Sequence, residues 1–177
     1  HADGEIAVAK AAKTRNQLML LSTSTSNPVE YVNEARGQPV WFQLYTTNEF
    51  DITTKLVQRA EASGCPVVAV TIDRAAGRNM ETATRFLRID KRVCTSCHGP
   101  TGSDRKGRPM FSDIELNTNE LTSPSLTWDF IKRLRDVTKM KILIKGLETR
   151  EDAALAVKYG ADGIIVSNHG GRAQDTG

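Results

Sequence analysis

The sequence has 177 residues, 39% of them hydrophobic and 25% charged, with a formal net charge of +3. A chain of this kind is long enough to bury a sizeable core, and its composition excludes a fibre or a disordered tail. No apolar run approaches the ~20 residues of a membrane-spanning helix, and the charge is too mild to argue for nucleic acid as a partner. The chain begins at His1 rather than Met and stops at Gly177, just past its most informative stretch. That predicts a piece of a longer protein, and leaves a cytoplasmic or membrane-associated location as the expectation.

In chain order, Gly4-Glu5-Ile6-Ala7-Val8-Ala9-Lys10-Ala11-Ala12 combines strong helix formers with apolar residues at helical spacing, predicting a helix over about 4–14. Gln17–Leu21 then reads as a buried strand running into Ser22-Thr23-Ser24-Thr25-Ser26. Such a hydroxyl run has two readings: a solvated loop, or, at the C-terminal end of a strand, hydroxyls of Ser22 and Thr23 that face a ligand. Asn27-Pro28 supplies a cap and a proline at the first helical position, so a helix is expected to Arg36, with Gly37 ending it.

Val40–Tyr45 is the next strand, and Gln43 within it is a polar intrusion that must be hydrogen-bonded, either to neighbouring backbone or to a ring-shaped ligand. Phe50–Ser63 is amphipathic, with Ile52, Leu56, Val57 and Ala60 on one side and Lys55, Arg59 and Glu61 on the other. Pro66–Asp73 is the clearest buried strand and ends in an acid. A carboxylate there is costly unless paired, and His169 is the natural partner.

After Asp73 the period breaks, and the next strand waits until Lys141, so residues 74–125 are expected to be an inserted mobile loop. The insertion is basic, through Arg85, Arg88, Lys91, Arg92, Arg105, Lys106 and Arg108, which predicts a solvated excursion with little core of its own. Inside it, Cys94-Thr95-Ser96-Cys97-His98 fits the attachment pattern of a c-type haem, with Met110 as a conceivable second axial ligand. The surrounding glycine-rich polar sequence offers a haem almost no apolar envelope, so reduced thiols without a cofactor are the competing expectation. Cys65 is expected in the core.

Thr127 is expected to cap a helix running to about Val137. Lys141–Gly146 and Asp162–Ser167 then read as two buried parallel strands around a helix at Glu148–Tyr159. The last strand feeds Asn168-His169-Gly170-Gly171-Arg172, an imidazole, two glycines and a bidentate donor. Polar residues therefore collect at one end of successive strands: Ser22, Gln43 with Tyr45, Thr71 with Asp73, Lys145, and Ser167 with His169. In a parallel α/β architecture that is the ligand-binding face.

Ser167-Asn168-His169-Gly170-Gly171-Arg172 resembles the active-site signature of the FMN-dependent L-2-hydroxy acid oxidoreductases, the glycolate oxidase, L-lactate dehydrogenase and flavocytochrome b2 group. Leu21-Ser22-Thr23, Gln43-Leu44-Tyr45, Val70-Thr71-Ile72-Asp73 and Ile144-Lys145-Gly146 resemble the same family's second to fifth barrel strands, in order. The resemblance implies an α/β fold of the (β/α)8 TIM-barrel type, of which this chain, residues 1–177, carries about five of eight βα units. It implies FMN as cofactor, held by Ser22, Gln43, Thr71 and Lys145, and no metal.

It further implies His169 as catalytic base supported by Asp73, Tyr45 on the substrate hydroxyl, and Arg172 with Arg78 on its carboxylate. The activity implied is oxidation of an L-2-hydroxy acid to the 2-keto acid, with oxygen, a quinone or a cytochrome as electron acceptor, in a homo-oligomer when full length. The alternatives are a c-type haem carrier built on Cys94, Cys97 and His98, or an inactive barrel fragment. A complete barrel needs about 250 residues, so the first strand and the last two, with their phosphate-binding loops, are expected outside this chain.

Overall fold

The computed structural model describes residues 3–73, 81–91, 108–116 and 126–171. Among these, α1 (Gly4–Thr14), β1 (Leu20–Ser22), α2 (Val29–Arg36), β2 (Trp41–Leu44), α3 (Phe50–Ala62) and β3 (Val67–Thr71) alternate along the first half. Then come α4 (Glu81–Ile89), a 3-10 turn (Pro109–Phe111), α5 (Asp129–Arg135), β4 (Lys141–Leu147), α6 (Arg150–Lys158) and β5 (Gly163–Val166).

The five strands form one sheet in the order β1-β2-β3-β4-β5, every neighbouring pair parallel. Parallel strands that add on the same side each time, through helical crossovers of the usual hand, put all helices on one face. That is the arc of a (β/α)8 barrel; a doubly wound sheet would reverse its strand order. The core agrees, because Leu21, Phe42, Leu44, Val68, Val70, Ile142 and Ile144 join residues of α1, α2, α3, α5 and α6 in a single cluster. The alternate residues, Ser22, Gln43, Thr71 and Lys145, therefore point to the opposite, barrel-interior face.

Several expectations are corrected in detail. Asn27 does not cap α2; its amide donates to Glu5 Oε2, which also takes the Ser26 N–H and hydroxyl, so α1 anchors the loop after β1. Thr127 does not cap α5 with its side chain; its carbonyl instead accepts the Phe130 N–H. Gly37 does end α2, in the left-handed conformation, with φ of 75°.

Strand β5 differs from the buried strand its apolar run predicts, since Ile164 is 37% and Val166 71% exposed. These residues face the helix side, and among the described residues no helix follows β5 to cover them.

The stretch 74–125 reads in sequence as an insertion with little core, and two of its parts are described. Helix α4 is one; the sequence reading misses it because its arginines obscure Phe86, Leu87 and Ile89, which lie exposed. The other is the 3-10 turn, whose Met110 and Phe111 are buried in the main core. Arg59 of α3 fastens this turn by donating to the Pro109 carbonyl and the Ser112 hydroxyl. Met110, read from the sequence as a conceivable second axial haem ligand, is thus a core residue.

Candidate active site

Each strand delivers its last residues to one end of the sheet, and there Leu20, Ser22, Gln43, Tyr45, Thr71, Lys145 and His169 line a cavity of about 230 Å³. The polar groups are wired across the strands. Ser22 Oγ donates to Gln43 Oε1 at 3.1 Å, and Gln43 Nε2 donates to Thr71 Oγ1 at 2.8 Å. Gln43 thus pairs with side chains across the strands in place of the backbone pairing that its sequence position allowed, and it fixes the orientation of two hydroxyls. Because Thr71 Oγ1 accepts from Gln43, the Thr71 hydroxyl hydrogen is left to donate elsewhere.

Thr23 departs from the ligand-facing reading. It is fully buried, its Oγ1 donates to the Gln43 carbonyl at 2.5 Å, and it accepts the Tyr45 N–H at 2.9 Å. A threonine side chain thus extends the β1–β2 ladder past the end of β1 and holds Gln43 and Tyr45 in place. The run of five hydroxyl residues is visible in the sequence, but nothing in it distinguishes Thr23 from Ser22.

His169 sits three residues past β5 in the left-handed region, φ 61°, a conformation that histidine adopts more readily than most residues. Its N–H donates to Ser167 Oγ at 3.0 Å, a short-range bond that stabilises this turn. The ring then lies between two partners. Nδ1 is 2.8 Å and 3.0 Å from the two oxygens of Asp73, and Nε2 is 3.2 Å from the Tyr45 hydroxyl. A carboxylate only accepts, so Nδ1 carries the hydrogen; in the neutral ring, Nε2 then presents its lone pair to the Tyr45 hydroxyl and the cavity.

The Asp73 side chain is 5% exposed, and its second neighbour is Lys145, whose Nζ is 3.7 Å from Oδ2. Lys145 Nζ also comes within 3.5 Å of His169 Nδ1, but two donors do not bond, so the attraction is to the carboxylate. One buried anion thus serves a proton-accepting ring and a cation. Such an array can take a proton at Nε2 while Asp73 stabilises the positive charge that arrives on the ring.

The structure therefore gathers Ser22, Gln43, Tyr45, Thr71, Asp73, Lys145 and His169 at one site. Arg78 and Arg172, expected on a substrate carboxylate, lie outside the described residues, as do Cys94, Cys97 and His98. Among the described residues no His, Cys, Asp and Glu cluster suits a metal ion, and no helix is long and apolar enough to cross a membrane.

A family model described as FMN-dependent dehydrogenase matches residues 1–177, the whole chain. The chain belongs to the FMN-dependent dehydrogenase family. Among its relatives is a 2-hydroxyacid oxidase of Dictyostelium discoideum, 39% identical, the match covering 98% of this chain and 44% of that protein. An L-lactate dehydrogenase (cytochrome) of Wickerhamomyces anomalus is 34% identical, over 99% of this chain and 30% of the other. A crystal structure of mandelate oxidase superposes with a TM-score of 0.76 at 33% identity, covering 97% of this chain and 46% of that one. The chain thus spans less than half the length of these FMN-dependent dehydrogenase relatives.

FMN is the family's cofactor, and the donor set fits an isoalloxazine edge. The second Gln43 amide hydrogen, the Thr71 hydroxyl hydrogen and the Lys145 ammonium all have hydrogen-bonding capacity to spare, on one wall of the cavity. Ring carbonyls and ring nitrogens are the acceptors such donors match.

Proposed function

We propose that the protein containing this chain oxidises a small L-2-hydroxy acid, of the glycolate, lactate or mandelate class, to the corresponding 2-keto acid. The observation that carries this reading is the Asp73–His169–Tyr45 array, with Nδ1 held by the carboxylate and Nε2 beside the Tyr45 hydroxyl at the cavity. FMN bound at the Gln43–Thr71–Lys145 wall would supply the two-electron acceptor.

The chain's own residues divide the remaining work. Tyr45 hydrogen-bonds the substrate hydroxyl and holds it next to His169 Nε2. His169 accepts the substrate proton there, and Asp73 keeps the tautomer and stabilises the imidazolium. Lys145 places a cation where negative charge grows on reduction. Arg172 and Arg78 grip the carboxylate, since a guanidinium fork matches its two oxygens.

The relatives' names span an oxidase and a cytochrome-linked dehydrogenase, so oxygen and a cytochrome head the acceptors to be tried, with a quinone beside them. The test is anaerobic mixing of the complete enzyme with L- and D-lactate, glycolate and mandelate. Bleaching of the FMN absorbance by glycolate or an L-acid, with stoichiometric keto acid, supports the proposal. No bleaching with any of the four, or bleaching with D-lactate alone, overturns it.

A further inference from the structure

The end of β4 is irregular. Lys145 pairs with Ile165 of β5, but the next pair is Leu147 with Val166, so Gly146 is an extra residue, a bulge. The bulge reverses the alternation of side chains. Lys145 reaches into the site cavity, while Leu147 is buried in the helix-side core instead of following it inward.

Gly146 itself has φ of 103°, where a side chain is strained whatever the space around it. Space is lacking as well. A Cβ on Gly146 would lie 2.7 Å from Asp73 Cβ, 2.7 Å from its Cγ and 2.9 Å from its Oδ2. Two of these three are the base of the side chain rather than its flexible tip, so Asp73 would have to move as a whole. It has no slack for that, because its oxygens already hold His169 Nδ1 and face Lys145.

We propose that Gly146 is a positioning residue for the proton-accepting pair: its bare Cα is the seat against which the Asp73 carboxylate is held between His169 and Lys145. The bulge sets the inward lysine and the seat with adjacent residues, which couples cation, carboxylate and imidazole geometrically. Bulges commonly serve to re-aim side chains next to active sites. The inference rests on the reading of Asp73 and His169 given above.

The test uses the complete FMN-loaded enzyme with Gly146→Ala, Asp73→Gly, the double variant, and Gly163→Ala as a control. Gly163 lies in neighbouring β5, and a Cβ there would meet only the tip of Leu143, Cδ2, at 2.9 Å. The first readout is the thermal midpoint. Backbone strain at position 146 is the same in both backgrounds, so Gly146→Ala should lower the midpoint clearly more when Asp73 is present than in the Asp73→Gly background. Should Gly146→Ala fail to fold, recovery of folding in the double variant makes the same point, and its absence refutes the seat.

The second readout separates positioning from mere structure. In Gly146→Ala the single-turnover rate of FMN reduction should fall at least about tenfold, while affinity for 2-hydroxyisobutyrate, which has no α-hydrogen to lose, stays within about threefold. Gly163→Ala should keep the parent rate, and the double variant should be no slower than Asp73→Gly alone. Equal midpoint losses in both backgrounds, or reduction by Gly146→Ala at the parent rate while Asp73→Gly is slow, overturn the inference and leave the Asp73–His169 reading standing. If Asp73→Gly itself reduces FMN at the parent rate, that reading fails and takes the inference with it.

Discussion

At the scale of single residues, the site depends on groups that never touch the cavity. Thr23 supplies the hydroxyl that satisfies the Tyr45 N–H past the end of β1. Thr23→Val keeps the shape and leaves that buried donor unpaired, so the complete enzyme should lose about 1–3 kcal/mol of stability by denaturant titration, with slower turnover as Tyr45 loosens. Cys65 behaves as the sequence reading expects of a core thiol. Burial pushes its pKa up from 9.0 to about 11. The folded state therefore holds its proton where the unfolded state has released it, and this contribution, intact below pH 9, is lost as pH rises toward 11. In the native protein at about pH 8, iodoacetamide should leave Cys65 unmodified, and denaturant should expose it; rapid native labelling would contradict the burial.

At the scale of elements, local sequence signals set most boundaries and tertiary partners decide the exceptions. Helix α6 begins where Thr149 accepts the Asp152 N–H, so Thr149→Ala should cost about 1 kcal/mol of stability, read from the denaturation midpoint. Asn27 carries an equally good cap signal, yet Glu5 takes its amide, a contact between helix and loop that no local pattern encodes.

Asp162, just before β5, ties that strand to two other elements, accepting from Ile142 N and Lys141 of β4 and from Arg135 of α5. Burial pushes its carboxyl up, but these donors outweigh burial and hold it down to about 2. Its contribution is therefore present above about pH 4 and lost as pH falls toward 2, and Asp162→Asn should flatten that part of an acid-unfolding curve. The strands, the helices around them and the polar strand ends are legible in the sequence because hydrophobic period and glycine breaks are local. The bulge at Gly146, the bridging role of Thr23 and the burial of Met110 are not, because each depends on what lies across a strand or helix.

At the scale of the molecule, the five parallel strands among the described residues form an open arc, with Leu20 and Val166 exposed on its two outer strands. An unpaired strand edge is a route to association. The 177-residue chain expressed alone should therefore self-associate, and it should bind FMN weakly if, as proposed, its described donors face the ring while the phosphate loops lie on the strands expected outside it. Stoichiometric FMN on a monomeric polypeptide of this length, by absorbance and sedimentation, would show that the arc suffices.

The account turns on His169 acting as a base through its pairing with Asp73, and the most direct measurement is stopped-flow FMN reduction in a double-mutant cycle. General bases contribute about 10²–10⁴-fold, so His169→Gln in the complete enzyme should slow reduction by at least that range's lower end, with FMN retained and 2-hydroxyisobutyrate still bound. Asp73→Asn should slow it less, since the ring remains and only its supporting charge is gone. The double variant should be no slower than His169→Gln alone, because Asp73 acts on the proton through the imidazole. Losses that multiply, or a parent rate in His169→Gln, would contradict the paired base.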